Sequence, residues 1–185
     1  MQPVLLTGRT IRLTGDDGSL AAGLAAHGAR LDDDADVAVH VVTTKAALVE
    51  TPLTSTSPGE WAARCDRLIL DAIAAAQEAH KRGMSRLIFV VPALGITGAA
   101  GLVPLATAGE AVRSLAKTAA RQWGPDGLTV TSIAVNVGGP VTAPPALDAP
   151  TESEVAGVVA LLAHELAEPI TGATVVVDGG VVMTP

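Results

Sequence analysis

Residues 87–136 read LIFVVPALGITGAAGLVPLATAGEAVRSLAKTAARQWGPDGLTVTSIAVN and indicate the fold of the whole chain. An apolar run at 87–91 predicts a buried strand, and a loop punctuated by glycines follows it. Small and apolar residues then recur at helical spacing over 108–123, and a second apolar run occupies 128–135. Strand, long helix and strand predict a βαβ unit. Strands that are apolar on both faces predict a parallel sheet covered by helices.

The composition is that of one globular α/β domain spanning residues 1–185. Hydrophobic residues make up 49% of the chain but aromatic residues only 2%, which suits helices packed closely on a parallel sheet. A net charge of -7 argues against nucleic acid or an anionic membrane surface as a partner. No apolar run reaches the ~18 residues of a membrane span, and the first residues lack a secretory pattern. A cytoplasmic protein is therefore expected, with its single cysteine, Cys65, as a buried structural thiol.

The stretch resembles the catalytic half of the short-chain dehydrogenase/reductase (SDR) family, in detail the 3-oxoacyl-(acyl carrier protein) reductase branch. The glycine loop and the long helix carry this resemblance, together with residues 52–61 and the ending ITGATVVVDGG at 170–180. The resemblance extends over residues 8–183. It implies a Rossmann-like three-layer α/β sandwich with a parallel sheet of about six strands.

The outer part of that fold is missing from the sequence. Residues 28–31 resemble the second strand of the family, and residues 36–42 already resemble its fourth strand. The link between them is rich in aspartate and too short for a parallel crossover, which needs about a dozen residues. We therefore expect a solvated turn here, with the outer strand and its helices deleted.

The catalytic residues that the resemblance would imply are also missing. The family uses an Asn-Ser-Tyr-Lys set, and the matching positions hold Leu68, Pro92, Leu105 and Gly109. In the family the tyrosine donates a proton to the substrate carbonyl, and the lysine lowers the tyrosine pKa and holds the nicotinamide ribose. The chain contains no tyrosine at any position. We therefore expect no NAD(P)H oxidoreductase activity from this chain on its own.

The loop that would bind a dinucleotide is degenerate. Thr14, Gly15 and Gly18 resemble its beginning, but the spacing is shortened and the closing glycines are absent. Asp16 and Asp17 place negative charge where a diphosphate would lie, and like charges repel. The simpler interpretation is that one aspartate caps the following helix, over residues 18–27. No cofactor and no metal are expected, and NAD(P)H is not expected to bind.

Four other polar residues are weak functional candidates. His40, Glu110 and Asn136 could carry a different chemistry, and Lys45 could contact an anion at the carboxyl edge of the sheet. Each has a simpler explanation. A histidine alone on a strand is usually a hydrogen-bonded core residue, and a glutamate in a first helical turn is favoured by the helix dipole. Lys45 would be an ordinary surface lysine.

Three functional hypotheses remain open from the sequence. The first is a non-catalytic SDR-like subunit that pairs with itself or with a full-length SDR, through the helices at 61–82 and 108–123 and the C-terminal strand. The second is a repurposed enzyme, such as a dehydratase, isomerase or cyclase, that uses the old cleft without NAD(P)H. The third is an atypical NAD(P)H-dependent 3-oxoacyl reductase.

Overall fold

The computed structural model describes residues 4–15, 18–43, 45–136 and 146–183, with residues 45 and 46 described by their main chain alone. Within these ranges lies a six-stranded sheet in which every neighbouring pair of strands is parallel. The strands are β1 (Thr10–Thr14), β2 (Arg30–Leu31), β3 (Val37–Val41), β4 (Arg86–Pro92), β5 (Thr129–Val135) and β6 (Thr174–Val177). Their order across the sheet is β2-β1-β3-β4-β5-β6, which confirms the predicted Rossmann-like α/β class.

The helices connect these strands and cover the sheet. They are α1 (Ser19–Ala26), α2 (Pro58–Trp61), α3 (Arg67–Lys81), α4 (Leu94–Thr97), α5 (Val103–Trp123) and α6 (Glu152–Ala163). A π-helical turn, Ala62–Asp66, joins α2 to α3, and short 3-10 turns occupy Lys45–Leu48, Leu53–Ser55, Gly124–Asp126 and Glu165–Ala167. None of the helices in the described ranges is long and apolar enough to cross a membrane.

Two apolar cores lie on opposite faces of the sheet and make three layers. Helices α3 and α5 pack on one face, against side chains that include Phe89. Helices α1 and α6 pack on the other face, against the neighbouring Ile88. All seven residues of β4 are buried, because the strand lies between the two helical layers.

The predicted deletion is present in the structure. Strand β2 ends at Leu31 and β3 begins at Val37, and the residues between them form exposed bends with no helix or strand. The main-chain N–H of Asp34 donates to the carboxylate of Asp32 at 3.1 Å, so the turn is closed by its own side chains. Strand β2 is therefore the outer edge of the sheet.

Ser57, followed by Pro58 and by Glu60 three residues on, predicts a capped helix start, and the helix that includes α2 and α3 begins there. The Ser57 hydroxyl accepts the Glu60 main-chain N–H at 3.2 Å, and the Glu60 carboxylate accepts the Ser57 N–H at 2.8 Å. This is a complete capping box, with Pro58 at the first helical position. A second capping box joins Thr151 to Glu154 at the start of α6.

Three helix ends differ from the sequence prediction. Thr151, with Glu152 and Glu154 in the next turn, predicts a helix over 151–167. Helix α6 instead ends at Ala163, because His164 is extended and its ring accepts the N–H of Leu166 at 3.2 Å. Helix α5 begins at Val103 rather than near 108, with Pro104 in its first turn. The N-cap of α1 is Gly18, and the two aspartates expected to cap it, Asp16 and Asp17, lie outside the described residues.

Candidate functional site

The family's catalytic positions meet at the carboxyl end of β4, where Pro92 closes the strand. Gly109, on the second turn of α5, packs directly against it. A Cβ at Gly109 would lie 3.1 Å from Pro92 Cγ and 3.2 Å from the Pro92 carbonyl oxygen. Both positions are buried. The two positions therefore face each other as neighbours, but neither carries a side chain with a titratable or hydrogen-bonding group.

The other two catalytic positions are filled with apolar side chains. Leu105 is fully buried and Leu68 is 6% exposed, and both belong to the core between α3, α5 and the sheet. A proton donor in this place would have to lie among apolar atoms, where an unpaired polar group is destabilised by several kcal/mol. Leu68 and Leu105 are thus part of the hydrophobic core, and neither side chain can donate a proton to a carbonyl.

These residues do not fit the nicotinamide end of a dinucleotide cofactor. In place of a lysine and a tyrosine, Gly109 and Leu105 offer no side-chain donor for a ribose hydroxyl or a carbonyl oxygen. The adenosine end of such a cofactor would need a free acidic group after β2 to bind its ribose hydroxyls. The carboxylate of Asp32, which follows β2, already accepts from Asp34 and lies 3.4 Å from Arg30 Nη2. We derive no chemical step through a nicotinamide cofactor.

The residues of the degenerate dinucleotide loop serve the packing of the fold. Gly15 has a positive φ of 75°, and a Cβ there would lie 2.2 Å from the Val41 carbonyl oxygen. Only glycine fits this close approach of β1 to β3. Thr14 bonds to the side chain of His40, and Gly18 precedes α1 with open space around it.

His40 is a buried, hydrogen-bonded histidine at the carboxyl end of β3. Its side chain is 5% exposed, and its Nδ1 lies 2.8 Å from the hydroxyl of Thr14. The ring meets Phe89 edge-on, with the ring centroids 6.1 Å apart. Burial lowers the pKa of His40 to about 4, against a smaller opposing effect of the Asp71 carboxylate. His40 is therefore neutral at about pH 7, where it can accept a proton weakly but cannot donate one as imidazolium.

A polar groove of about 520 Å³ lies beside His40, between the sheet and α3. Polar and charged side chains line it together with small residues: Arg12, Thr14, His40, Asp71 and Glu78, with Gly15, Ala74 and Ala75. Arg12 and Thr14 project from the same face of β1, since side chains two residues apart share a face of a strand. The link between β2 and β3 adds no helix over this part of the sheet, and both charged and apolar side chains line the groove.

The remaining predicted candidates lie elsewhere. Glu110 on α5 pairs with Arg113 Nη1, at 2.6 and 2.8 Å for its two oxygens. Arg113 Nε is 3.4 Å from the Thr174 hydroxyl, so the pair connects α5 to β6. Asn136 follows β5 and is half-buried. Neither Glu110 nor Asn136 lines the groove beside His40, so the three candidates do not form one site. The side chain of Lys45 lies outside the described residues.

Sequence reasoning missed the acidic side of the groove. Asp71 and Glu78 are seven residues apart on α3, which places them on one face of the helix two turns apart. Asp71 also accepts from Arg67 Nε at 2.9 Å. Their spacing was visible in the sequence, but nothing local indicated that β1 would present Arg12 opposite them.

The C-terminal VDGG motif is structural. Asp178 is 3% exposed and its carboxylate accepts three main-chain N–H groups, from Gly180, Val181 and Val182, at 2.8 to 3.2 Å. These bonds hold the turn after β6.

The single cysteine is buried. Cys65 is 1% exposed, as expected for a structural thiol, and burial, with a further contribution from Asp66, raises its pKa.

This chain is similar in sequence to one known protein family. Residues 15–182 match the model of the family described as enoyl-(acyl carrier protein) reductase. No curated protein matches the sequence.

Several solved structures share the fold. One is a short-chain dehydrogenase from Leptospira borgpetersenii with bound NAD+, at a TM-score of 0.80 and 15% identity over 99% of this chain and 97% of that one. Another is the Bacillus cereus enoyl-acyl carrier protein reductase with NADP+ and indole naphthyridinone, at 0.78 and 16% over 98% and 99%. A third is a short-chain oxidoreductase from Burkholderia thailandensis, at 0.73 and 21% over 98% and 94%. At these identities the similarity establishes the fold alone.

Proposed function

The chain belongs to the short-chain dehydrogenase/reductase family, and from that membership we propose that it is a non-catalytic subunit that pairs with itself or with a catalytically complete SDR, such as a ketoreductase. One observation carries the proposal. The four catalytic positions of the family hold Leu68, Pro92, Leu105 and Gly109, and all four are buried by apolar packing.

Residues at the four positions lack the chemical groups that the family's reductions need. Reduction of a carbonyl needs a proton donor at the oxygen, and reduction of an enoyl double bond needs the enolate to be stabilised. Leucine, proline and glycine side chains supply neither. Because the chain has no tyrosine, a neighbouring residue of the same type cannot take over the role.

The surfaces proposed for pairing remain available in the fold. Helix α3 exposes Leu70 at 61%, on the side away from the sheet core. In the described part of the chain, strand β6 pairs with β5 alone, and all four of its residues are half-buried. An edge strand whose valines are only half-buried favours covering by another chain. The subunit would act in the cytoplasm, bound to neither nucleic acid nor membrane.

Native mass spectrometry of the tagged chain purified from its source cells tests this proposal. We expect a stoichiometric complex with itself or with a full-length SDR. The purified chain alone should show no saturable NADH or NADPH binding, with an active SDR as the positive control. Micromolar NADPH binding with turnover of an acyl substrate would contradict the proposal and support an atypical reductase.

The polar groove favours a second function. A cavity of about 520 Å³ is of the size that holds small molecules, and it presents a neutral imidazole beside a hydroxyl. A repurposed enzyme of the dehydratase, isomerase or cyclase type could use His40 as a weak base there. Turnover that falls at least about tenfold in His40→Gln, with an unchanged unfolding temperature, would support this function. Equal turnover in the variant would remove His40 from it.

A further inference from the structure

Arg64 is a buried cation that belongs to no motif of the sequence. It lies in the π-helical turn between α2 and α3 and is only 7% exposed. One of its nitrogens, Nη1, donates to the Thr51 hydroxyl at 3.0 Å. Nε and Nη2 are buried and have no hydrogen-bond partner among the described residues.

The two unpartnered nitrogens are chemically informative. Nε and Nη2 form one edge of the planar guanidinium, with their N–H bonds nearly parallel. That edge matches two oxygens of a carboxylate or phosphate, which accept a pair of parallel hydrogen bonds. Arginine cannot lose its charge at physiological pH, so a buried guanidinium requires an anion or other acceptors.

No carboxylate of the described chain supplies that anion. Glu60 is the acidic group whose pKa is influenced by Arg64, but that influence is smaller than the hydrogen bonds from Ser57. Its carboxylate is fully exposed and is already occupied by the Ser57 N–H and hydroxyl. Among the described ion pairs, none includes Arg64.

The surroundings of Arg64 lie at the ligand-binding edge of the fold. Arg64 is one helical turn before Leu68, and its partner Thr51 is bonded through its own N–H to the Gly101 carbonyl at 2.8 Å. Thr43, just after β3, also has a buried hydroxyl with no hydrogen-bond partner in the described ranges. Ligands of open parallel sheets bind where the strands end, and both unsatisfied side chains are at that edge. A π-helical turn in this position is a further feature that is common at functional sites.

We propose that Arg64 anchors a binding site for a small oxyanion, a carboxylate or phosphate group, which it holds through Nε and Nη2. The site is separate from the polar groove beside His40, and Arg64 is not among the groove's lining residues. It needs neither the family's catalytic residues nor a partner chain. Binding would complete the hydrogen bonding of a buried charge and so stabilise the segment that carries Thr51 against the helix.

Thermal unfolding of the purified full chain tests this site, with inorganic phosphate and acetate titrated separately at constant ionic strength. We expect at least one of the two anions to raise the unfolding temperature saturably, by about 5 °C or more near a hundredfold excess over its Kd. Arg64→Gln should abolish the shift. The matched control is Arg67→Gln, three residues further along and exposed, which should keep it.

A conservative variant separates the geometry of the site from its charge. Arg64→Lys retains a cation but loses the two-nitrogen edge, so the Kd should rise at least tenfold. Direct titration of the wild-type chain, by calorimetry with the same two anions, keeps the test decisive if Arg64→Gln does not fold. A wild-type chain without saturable binding would overturn the site, and so would an identical response in Arg64→Gln.

Discussion

His40 illustrates how burial decides the chemistry of a single residue. The carboxylate of Asp71 favours the protonated ring, whereas desolvation disfavours it, and desolvation is the larger effect. The resulting pKa of about 4 in the folded chain lies below the ordinary value of 6.5. The bond to Thr14 orients the ring, and the neutral imidazole joins β3 to the neighbouring strand β1.

This shift predicts a pH dependence of stability. Between pH 6.5 and about 4 the unfolded chain binds a proton at His40 that the folded chain does not, so unfolding is favoured as the pH falls. The contribution is complete above pH 6.5, and its loss toward pH 4 amounts to up to about 3 kcal/mol. Urea unfolding of wild type and His40→Gln across this range measures it. Relative to His40→Gln, wild type should lose stability as the pH falls through this range, and a pH-independent difference would contradict the shift.

Gly15 is a residue whose identity is set by a backbone contact. In Gly15→Ala the new Cβ would lie 2.2 Å from the Val41 carbonyl oxygen at a φ of 75°, so β1 and β3 must separate. We expect a loss of about 3 kcal/mol or more in the free energy of unfolding. Gly83→Ala is the control, because Gly83 has a φ of 66° and open space around it. That variant should lose only about 1 kcal/mol, the cost of the positive φ itself.

At the scale of elements, the packing of α5 on β4 leaves no space for a long side chain where the two elements meet. The second turn of α5 lies so close to the end of β4 that Gly109 has no room for a long side chain beside Pro92. Leu105 and Leu68 fill the adjoining volume. Close packing of a helix on a sheet needs small residues, and Gly109 is the small residue at this contact.

Gly109→Lys, which restores the family residue, should therefore destabilise the chain rather than activate it. The side chain would be forced against Pro92 within the core, and we expect a loss of about 3 kcal/mol or more in chemical denaturation. Ser114→Lys is the control on the same helix, since Ser114 is exposed and the change should stay within about 0.5 kcal/mol. Equal stability of the two variants would show that the α5–β4 contact is looser than described.

At the scale of the whole molecule, the missing crossover changes what the outer part of the sheet presents. Arg12 and Thr14 lie on the face of β1 that borders the groove beside α3, and Arg12 Nε is 3.3 Å from the Asp33 carboxylate. A polar face of this kind needs no covering helix. Apolar surface available for association lies instead at Leu70 on α3 and along the half-buried edge strand β6.

If α3 forms a subunit interface, its exposed leucine should contribute to it. Leu70→Lys is expected to weaken the association at least tenfold, as measured by analytical ultracentrifugation over a range of concentrations. Leu53→Lys changes a leucine of similar exposure, 56% against 61%, outside the predicted interface, and should leave the association unchanged. A tenfold effect of Leu53→Lys alone would place the interface elsewhere.

The sequence by itself determined the order of strands and helices, the capping box at Ser57, the missing crossover and the absence of a catalytic tyrosine. These depend on residue identity, on hydrophobic period or on hydrogen bonds within about four residues, which are all local. The early end of α6 was missed because the bond from Leu166 to the His164 ring competes with helical continuation.

Only the tertiary structure decided which polar residues are buried and what they face. His40 and Thr14 are 26 residues apart in sequence, yet their side chains are bonded, and the burial of the His40 ring lowers its pKa. Arg64 belongs to an amphipathic helix that would ordinarily expose it, and its burial beneath the segment of Thr51 depends on how that segment packs. Burial is a property of assembled segments, because desolvation is the sum of contacts from parts of the chain that no local pattern brings together.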